Sequence, residues 1–175
     1  MEYYRIINEG VKKSLGGLHS AQCLLYSVDF DEIETYQRSG DWEQATVVMV
    51  DAARRLERGG ADFVMICTNT MHKMADDVQQ AIDIPLLHIA DATAAAIHEA
   101  GLNTIGLLGT RFTMEQDFYR GRLDLKHGLK VLTPPAVGRQ VVHDIIYGEL
   151  CLGQIKADSL EQMIEIVDQL KVAGA

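Results

Sequence analysis

The stretch ADFVMICTNTMHK, residues 61–73, decides how the chain is read: a strand signal, three small polar side chains and a helix start follow one another without a break. Phe63 to Ile66 is a short apolar run containing β-branched Val64 and Ile66, as a buried strand requires. Thr68, Asn69 and Thr70 are capping residue types, and the run from Met71 onward has helical composition. A strand that feeds a helix N-terminus offers free backbone N–H groups and the positive end of a helix dipole. Hydroxyl and amide side chains add further donors, so a carboxylate or enolate is the ligand expected there.

Strand and helix signals alternate outward from this stretch. Tyr3, Ile6, Ile7 and Val11 have helical spacing and Gly16-Gly17 stops them, so the chain opens inside a helix. Residues 21–28 predict a strand and the acidic cluster at 29–34 a solvated loop, followed by a helix from about Asp41 to Arg58 that Gly59-Gly60 terminates. After the central strand, a helix is expected to end near Ile82, residues 84–89 to form a short strand, and Asp91 to cap an alanine-rich helix that stops at Gly101. The pattern then repeats. A strand at 104–109 leads to a helix that Thr113 would cap and that would run to about Leu125, a strand covers 129–132, and Pro134-Pro135 precedes helices at 138–152 and 158–172. Such alternation predicts an α/β fold with mostly parallel sheets flanked by helices, in two lobes, residues 1–100 and 101–175.

Composition restricts the partners. A chain of 175 residues, 47% hydrophobic, can bury its own core without staples. A formal charge of −9 gives an average field that repels nucleic acid and anionic membrane surfaces, so a small molecule held by local donors is the partner expected. Cys23, Cys67 and Cys151 are an odd, widely spaced set, which points to a reducing compartment such as the cytoplasm and away from zinc. No apolar run is long enough to suggest a membrane span.

GLLGTRFT, residues 106–113, places a glycine after a strand, with Thr110 and Thr113 available to donate to a carboxylate. It has neither the GxGxxG spacing of a dinucleotide site nor the Gly-Lys-Ser/Thr of a phosphate loop. A packing glycine and a helix cap are the plain alternative. Cys67 and Thr68 compete for a reactive role: a thiol near a helix N-terminus can have its pKa lowered, whereas a threonine hydroxyl is a poor base. Cys67 also reads as a buried strand residue, and Cys23 and Cys151 as core residues. His72, four positions after Thr68, is expected to face the site; the other histidines have no metal-ligand spacing and read as surface or hydrogen-bonded structural groups.

The segments ICTNTMHK at 66–73, IPLLHIADAT at 84–93 and GLLGTRFTMEQDFY at 106–119 resemble the aspartate/glutamate racemase family. YYRIIN at 3–8, YSVDF at 26–30 and IIYGELCLG at 145–153 extend the resemblance across the chain, in particular to the broad-specificity amino-acid racemase branch. The resemblance implies two pseudosymmetric α/β lobes with a cleft between them and no pyridoxal phosphate or other cofactor. It also implies two residues, usually cysteines, acting on opposite faces of the substrate α-carbon. The first of these directly precedes Asn-Thr, which assigns the role to Thr68 and leaves Cys67 one position early. Asn69, Thr70, Thr110 and Thr113 match positions that hold the amino-acid backbone in relatives.

Two departures from the family pattern shape further expectations. The family's opening strand and its Gly-Gly-Met-Ser loop have no counterpart, and neither has the strand ending in Gly-Cys-Thr-Glu that carries the second cysteine. The chain is therefore expected to be a fragment or truncated form, inactive or nearly so in racemisation. Its lobes would each lack a strand, leaving exposed edges that imply either marginal stability or association of two copies as a homodimer. Threonine at position 68, a far poorer base than a thiolate, implies that one direction dominates. The alternatives are a non-catalytic amino-acid-binding relic and a related isomerase or decarboxylase of the same superfamily.

Overall fold

The computed structural model describes residues 2–175 as two compact units, residues 2–67 with 74–87 and residues 68–73 with 88–175. Each is an arrangement of helices around a short parallel strand pair, so the α/β class holds.

The first unit opens with α1 (Glu2–Leu15), which ends where Gly16 and Gly17 take φ values of 76° and 57° that side chains resist. α3 (Trp42–Arg58) starts at Asp41, whose side chain accepts the Gln44 N–H at 3.2 Å. Ala53 on α3 lets the helix lie close to β1 (Val64–Met65) and α4 (Ala75–Gln80), and it forms a core with Val64, Val78 and Ile82. β1 pairs in parallel with β2 (Leu86–Leu87), Val64 opposite Leu86. So short a pair leaves backbone groups unmet, and side chains take them up. Glu57 accepts the N–H groups of Asp83 and Ile84, at 2.7 and 3.2 Å, and Gln79 accepts that of Leu86 at 2.7 Å.

In the second unit β3 (Thr104–Gly106) pairs in parallel with β4 (Lys130–Leu132). α5 (Ile89–Glu99) packs Ala90 and Ala94 against Leu107, Tyr119, Leu123 and Leu129. α6 (Arg111–Glu115), α7 (Ala136–Gly148) and α8 (Ala157–Val172) meet around Met114, Val142 and Ile166. A Cβ on Gly106 would stand 3.1 Å from Leu170, so the bare glycine lets α8 close on β3.

Several expectations give way. Residues 21–28 form no strand: no neighbouring strand among the described residues pairs with them, and Leu24, Leu25 and Tyr26 are exposed. β-propensity without a partner strand does not make a ladder. Cys23 and Cys151, expected in the core, are exposed, as is Cys67; Cys23 loses its strand and Cys151 lies in a 3-10 turn, Leu150–Leu152, with no buried residue. The acidic cluster at 29–34 is not a loop but the start of α2 (Phe30–Ser39). Asp29 caps it by accepting the Asp31 N–H, Asp31 and Glu32 complement the dipole, and Ile33 and Gln37 bury one face.

α5 is capped by His88 instead of Asp91, and α6 by Thr110 instead of Thr113. The helix expected to run to about Leu125 stops at Glu115, and a π-helical turn follows at Arg122–Lys126. Asp91, freed from capping, accepts from Arg122 through both carboxylate oxygens at 2.7 and 2.8 Å, and from Lys126 and His127 at 2.8 Å each. The Arg122 guanidinium first, then Lys126 and His127, hold its carboxyl far below the usual range against partial burial. Asp91→Asn keeps the shape and removes the charge, so it is expected to destabilise the fold by about 1–3 kcal/mol. A urea midpoint unchanged from wild type would show that the cluster contributes nothing.

Candidate functional site

The candidate site grows from two segments, each following a strand in sequence. After β1 the chain bends through residues 67–69 into a 3-10 turn, Thr70–Met74, and α4 begins only at Ala75. The α-helical N-terminus expected at Met71 is therefore not formed. The His72 N–H is taken by the Asn69 carbonyl at 3.0 Å, so it is no longer a free anion donor. Although Cys67 is exposed as a residue, partial desolvation of its thiol pushes the pKa up, which corrects the expectation of a thiol lowered by a helix dipole.

After β3, Leu107-Leu108-Gly109 leads to Thr110, whose extended backbone and side chain start α6. Thr110 Oγ1 accepts the Thr113 N–H at 3.3 Å and lies 3.2 Å from Thr113 Oγ1. The hydroxyl of Thr110 also meets that of Thr70 at 2.9 Å. Three hydroxyls thus form one chain, Thr70 to Thr110 to Thr113, joining segments 40 positions apart. Thr70 and Thr113 are 4% and 0% exposed, so their hydroxyls need these partners. Gly109 is the packing glycine of the plain reading: a Cβ there would come within 3.1 Å of Thr113 Cβ.

Thr68 is exposed and Asn69 half-buried, and among the described residues neither side chain joins the hydroxyl chain. Both enter the hydrogen bonding through backbone carbonyls that His72 contacts. His72 is 2% exposed: its Nδ1 lies 2.7 Å from the Thr68 carbonyl, and its Nε2 accepts the Ile89 N–H at 3.2 Å. His88 packs beside it with ring centroids 4.4 Å apart. Two residues at this place escaped sequence reasoning: Lys73 donates to Gln116 at 2.6 Å, tying the same two segments a second time. No motif pairs a lysine with a glutamine 43 positions away.

A groove of about 380 Å³ beside β4, lined by Leu132, Pro134, Arg139 and Leu170 among others, contains none of these residues. Its cation is engaged, since Arg139 binds Glu115 and the Pro134 carbonyl at 2.8 Å each. Among the described residues no group of three or more His, Cys, Asp or Glu could hold a metal ion, and no helix is long and apolar enough to cross a membrane.

These features define an α/β protein in which both polar segments come directly after a strand in sequence, the position where ligands of such folds gather. The chain belongs to the Asp/Glu/Hydantoin racemase family, whose pattern matches residues 1–175. It is similar to a crystal structure from Yersinia pestis provisionally described as an Asp/Glu racemase, with 53% identity and a TM-score of 0.90, over 99% of this chain and 76% of that one. It is also similar to PH1733, described as an aspartate racemase homologue, from Pyrococcus horikoshii OT3, with 29% identity and a TM-score of 0.76 over 98% and 74% of the two chains. Over 80 residues it is 31% identical to the broad specificity amino-acid racemase RacX of Bacillus subtilis. That match spans 46% of this chain and 35% of the relative's length.

Proposed function

We propose that the protein is of the cofactor-independent amino-acid racemase type, whose two bases transfer the α-proton of aspartate, glutamate or a broader set; Thr68 is the one base assigned here, so α-proton exchange rather than racemisation is the activity expected of this chain. The observation that carries this reading is the hydroxyl chain of Thr70, Thr110 and Thr113, which unites two separate family segments into one set of donors. Those hydroxyls, with Asn69, hold the substrate's backbone, and the α-carboxylate is the group they meet. As the α-proton leaves, charge builds on that carboxylate, and donors already oriented by the fold stabilise it. Thr68, at the exposed end of the same turn, is the residue assigned to one face of the α-carbon. The reading includes the two strand-helix repeats, 1–100 and 101–175, as pseudosymmetric lobes, a homodimer, and a cytoplasmic location.

A second reading, amino-acid binding without chemistry, draws on the raised Cys67 thiol and on the weak basicity of a threonine hydroxyl. Exchange of the α-proton with solvent needs only one face, so it separates the two more directly than racemisation does. L- and D-aspartate and glutamate incubated in deuterated water are expected to take up deuterium with wild type, and Thr68→Ala to slow uptake by about 100-fold or more. Folded wild type that binds these amino acids, seen as thermal stabilisation, but never exchanges them would leave only the binding reading.

A further inference from the structure

We propose that His72 is a positioning residue of this site: as a neutral imidazole protonated on Nδ1, it clamps the Thr68 carbonyl to the start of α5 and so fixes the turn carrying Thr68, Asn69 and Thr70. The inference rests on the racemase reading for its functional consequence, and on hydrogen bonding for its geometry. The Ile89 N–H can only donate, so Nε2 must present its lone pair, and the proton of a neutral ring is then on Nδ1, aimed at the Thr68 carbonyl 2.7 Å away. With both ring nitrogens used, His72 is no base for the Thr68 hydroxyl; its action on that residue runs through the backbone. Its own N–H closes on the Asn69 carbonyl, so one residue restrains both polar positions ahead of Thr70.

The surroundings keep the ring neutral. A second proton would place an Nε2–H against the Ile89 N–H, donor facing donor, in a buried site. The groups around it are His88, packed at 4.4 Å, and the charges of Asp91 and Arg122, with Lys126 and His127 bound to the same carboxylate. Burial is the largest influence and lowers the His72 pKa; the Thr68 and Asn69 backbone raises it, Arg122 lowers it and Asp91 raises it. The clamp therefore holds through neutral pH and opens in acid.

The test compares wild type with His72→Gln, whose amide can donate and accept, and His72→Leu, which does neither. Two-bond nitrogen–proton spectra of the imidazole rings are expected to show His72 as the Nδ1–H form, with no titration near the ordinary histidine value of about 6.5. His72→Leu is expected to shift the backbone amide signals of residues 68–70 and to weaken L-glutamate binding and exchange by about tenfold or more, as loss of a buried hydrogen bond implies. His72→Gln should recover most of both. An Nε2–H ring, titration near 6.5, or amide signals in His72→Gln displaced as far as in His72→Leu would overturn the inference. If His72→Leu does not fold, the wild-type tautomer and the glutamine variant decide. If wild type neither binds nor exchanges amino acids, the racemase reading fails, while the tautomer and the amide signals still judge the clamp.

Discussion

Lowering the pH from 7 towards 3 is expected to remove on the order of 3–5 kcal/mol of stability through His88 alone. This side chain is 6% exposed, and its Nδ1 accepts the Ala90 N–H at 3.1 Å as the cap of α5, a bond that only the neutral ring can accept. Burial first, then the neighbouring His72 and Arg122, push its pKa down to about 3. In the unfolded chain it returns to about 6.5, so between the two values the unfolded state binds more protons. Stability then rises with pH: the contribution of His88 is complete above about 6.5 and is lost as the pH falls towards the folded value. His72 and His143, both lowered mainly by burial, act in the same direction. Asp91 behaves likewise lower on the scale, its contribution being full above about 4 and lost in stronger acid. Urea unfolding at pH 7.5, 5.5 and 4 measures the slope. His88→Asn, which keeps a capping side chain that does not titrate, should flatten it. Equal slopes in variant and wild type would remove His88 from the account.

Leu123→Ala is expected to cost about 2–5 kcal/mol, with a lower urea midpoint and an unchanged m-value. Leu123 is 0% exposed and packs with Ala90, Ala94, Leu107, Tyr119 and Leu129. Its partners Ala90 and Ala94 lie on a helix and Leu129 precedes a strand, so the surrounding atoms can relax into the space only in part. The residue also sits next to Arg122, in the π-helical turn that presents Arg122 and Lys126 to Asp91. Truncation should therefore weaken that ion cluster together with the apolar core. In a double-mutant cycle Leu123→Ala and Asp91→Asn are expected to be non-additive, and simple additivity would show that core and cluster are independent.

Much of the fold is legible in local sequence. Val64 and Leu86 lie in short apolar runs between turn residues, and they pair as parallel strands. Asp41 and Gly59-Gly60 bracket α3 as cap chemistry requires. Three of the failures concern residues whose role depends on partners distant in sequence or on burial. Residues 21–28 have strand composition and no pairing strand among the described residues. Asp29 to Glu34 read as a charged loop because the periodic Ile33 and Gln37 are sparse, yet their burial holds a helix there. Asp91 has cap chemistry, but Arg122 and Lys126 of the π-helical turn, with His127 directly after it, claim the carboxylate.

The same division runs through the candidate site. Local composition marks Thr68, Asn69, Thr70, Thr110 and Thr113 as small hydroxyl and amide donors after a strand, whereas the choice of Thr68 over Cys67 is what the family resemblance implies. Contacts between distant segments carry no local signature, so neither the Thr70 to Thr110 bond nor the pairing of Lys73 with Gln116 can be read along the chain. By itself the sequence determined the α/β class, the family resemblance and the residue types available for a carboxylate. Tertiary structure alone decided which hydroxyls touch, that Cys67 is not lowered, and that the two nitrogens of His72 are both committed. The reason is physical: composition and periodicity report on neighbours a few residues away, whereas a tautomer, a desolvated thiol or a relay of hydroxyls is set by whatever the fold packs against it.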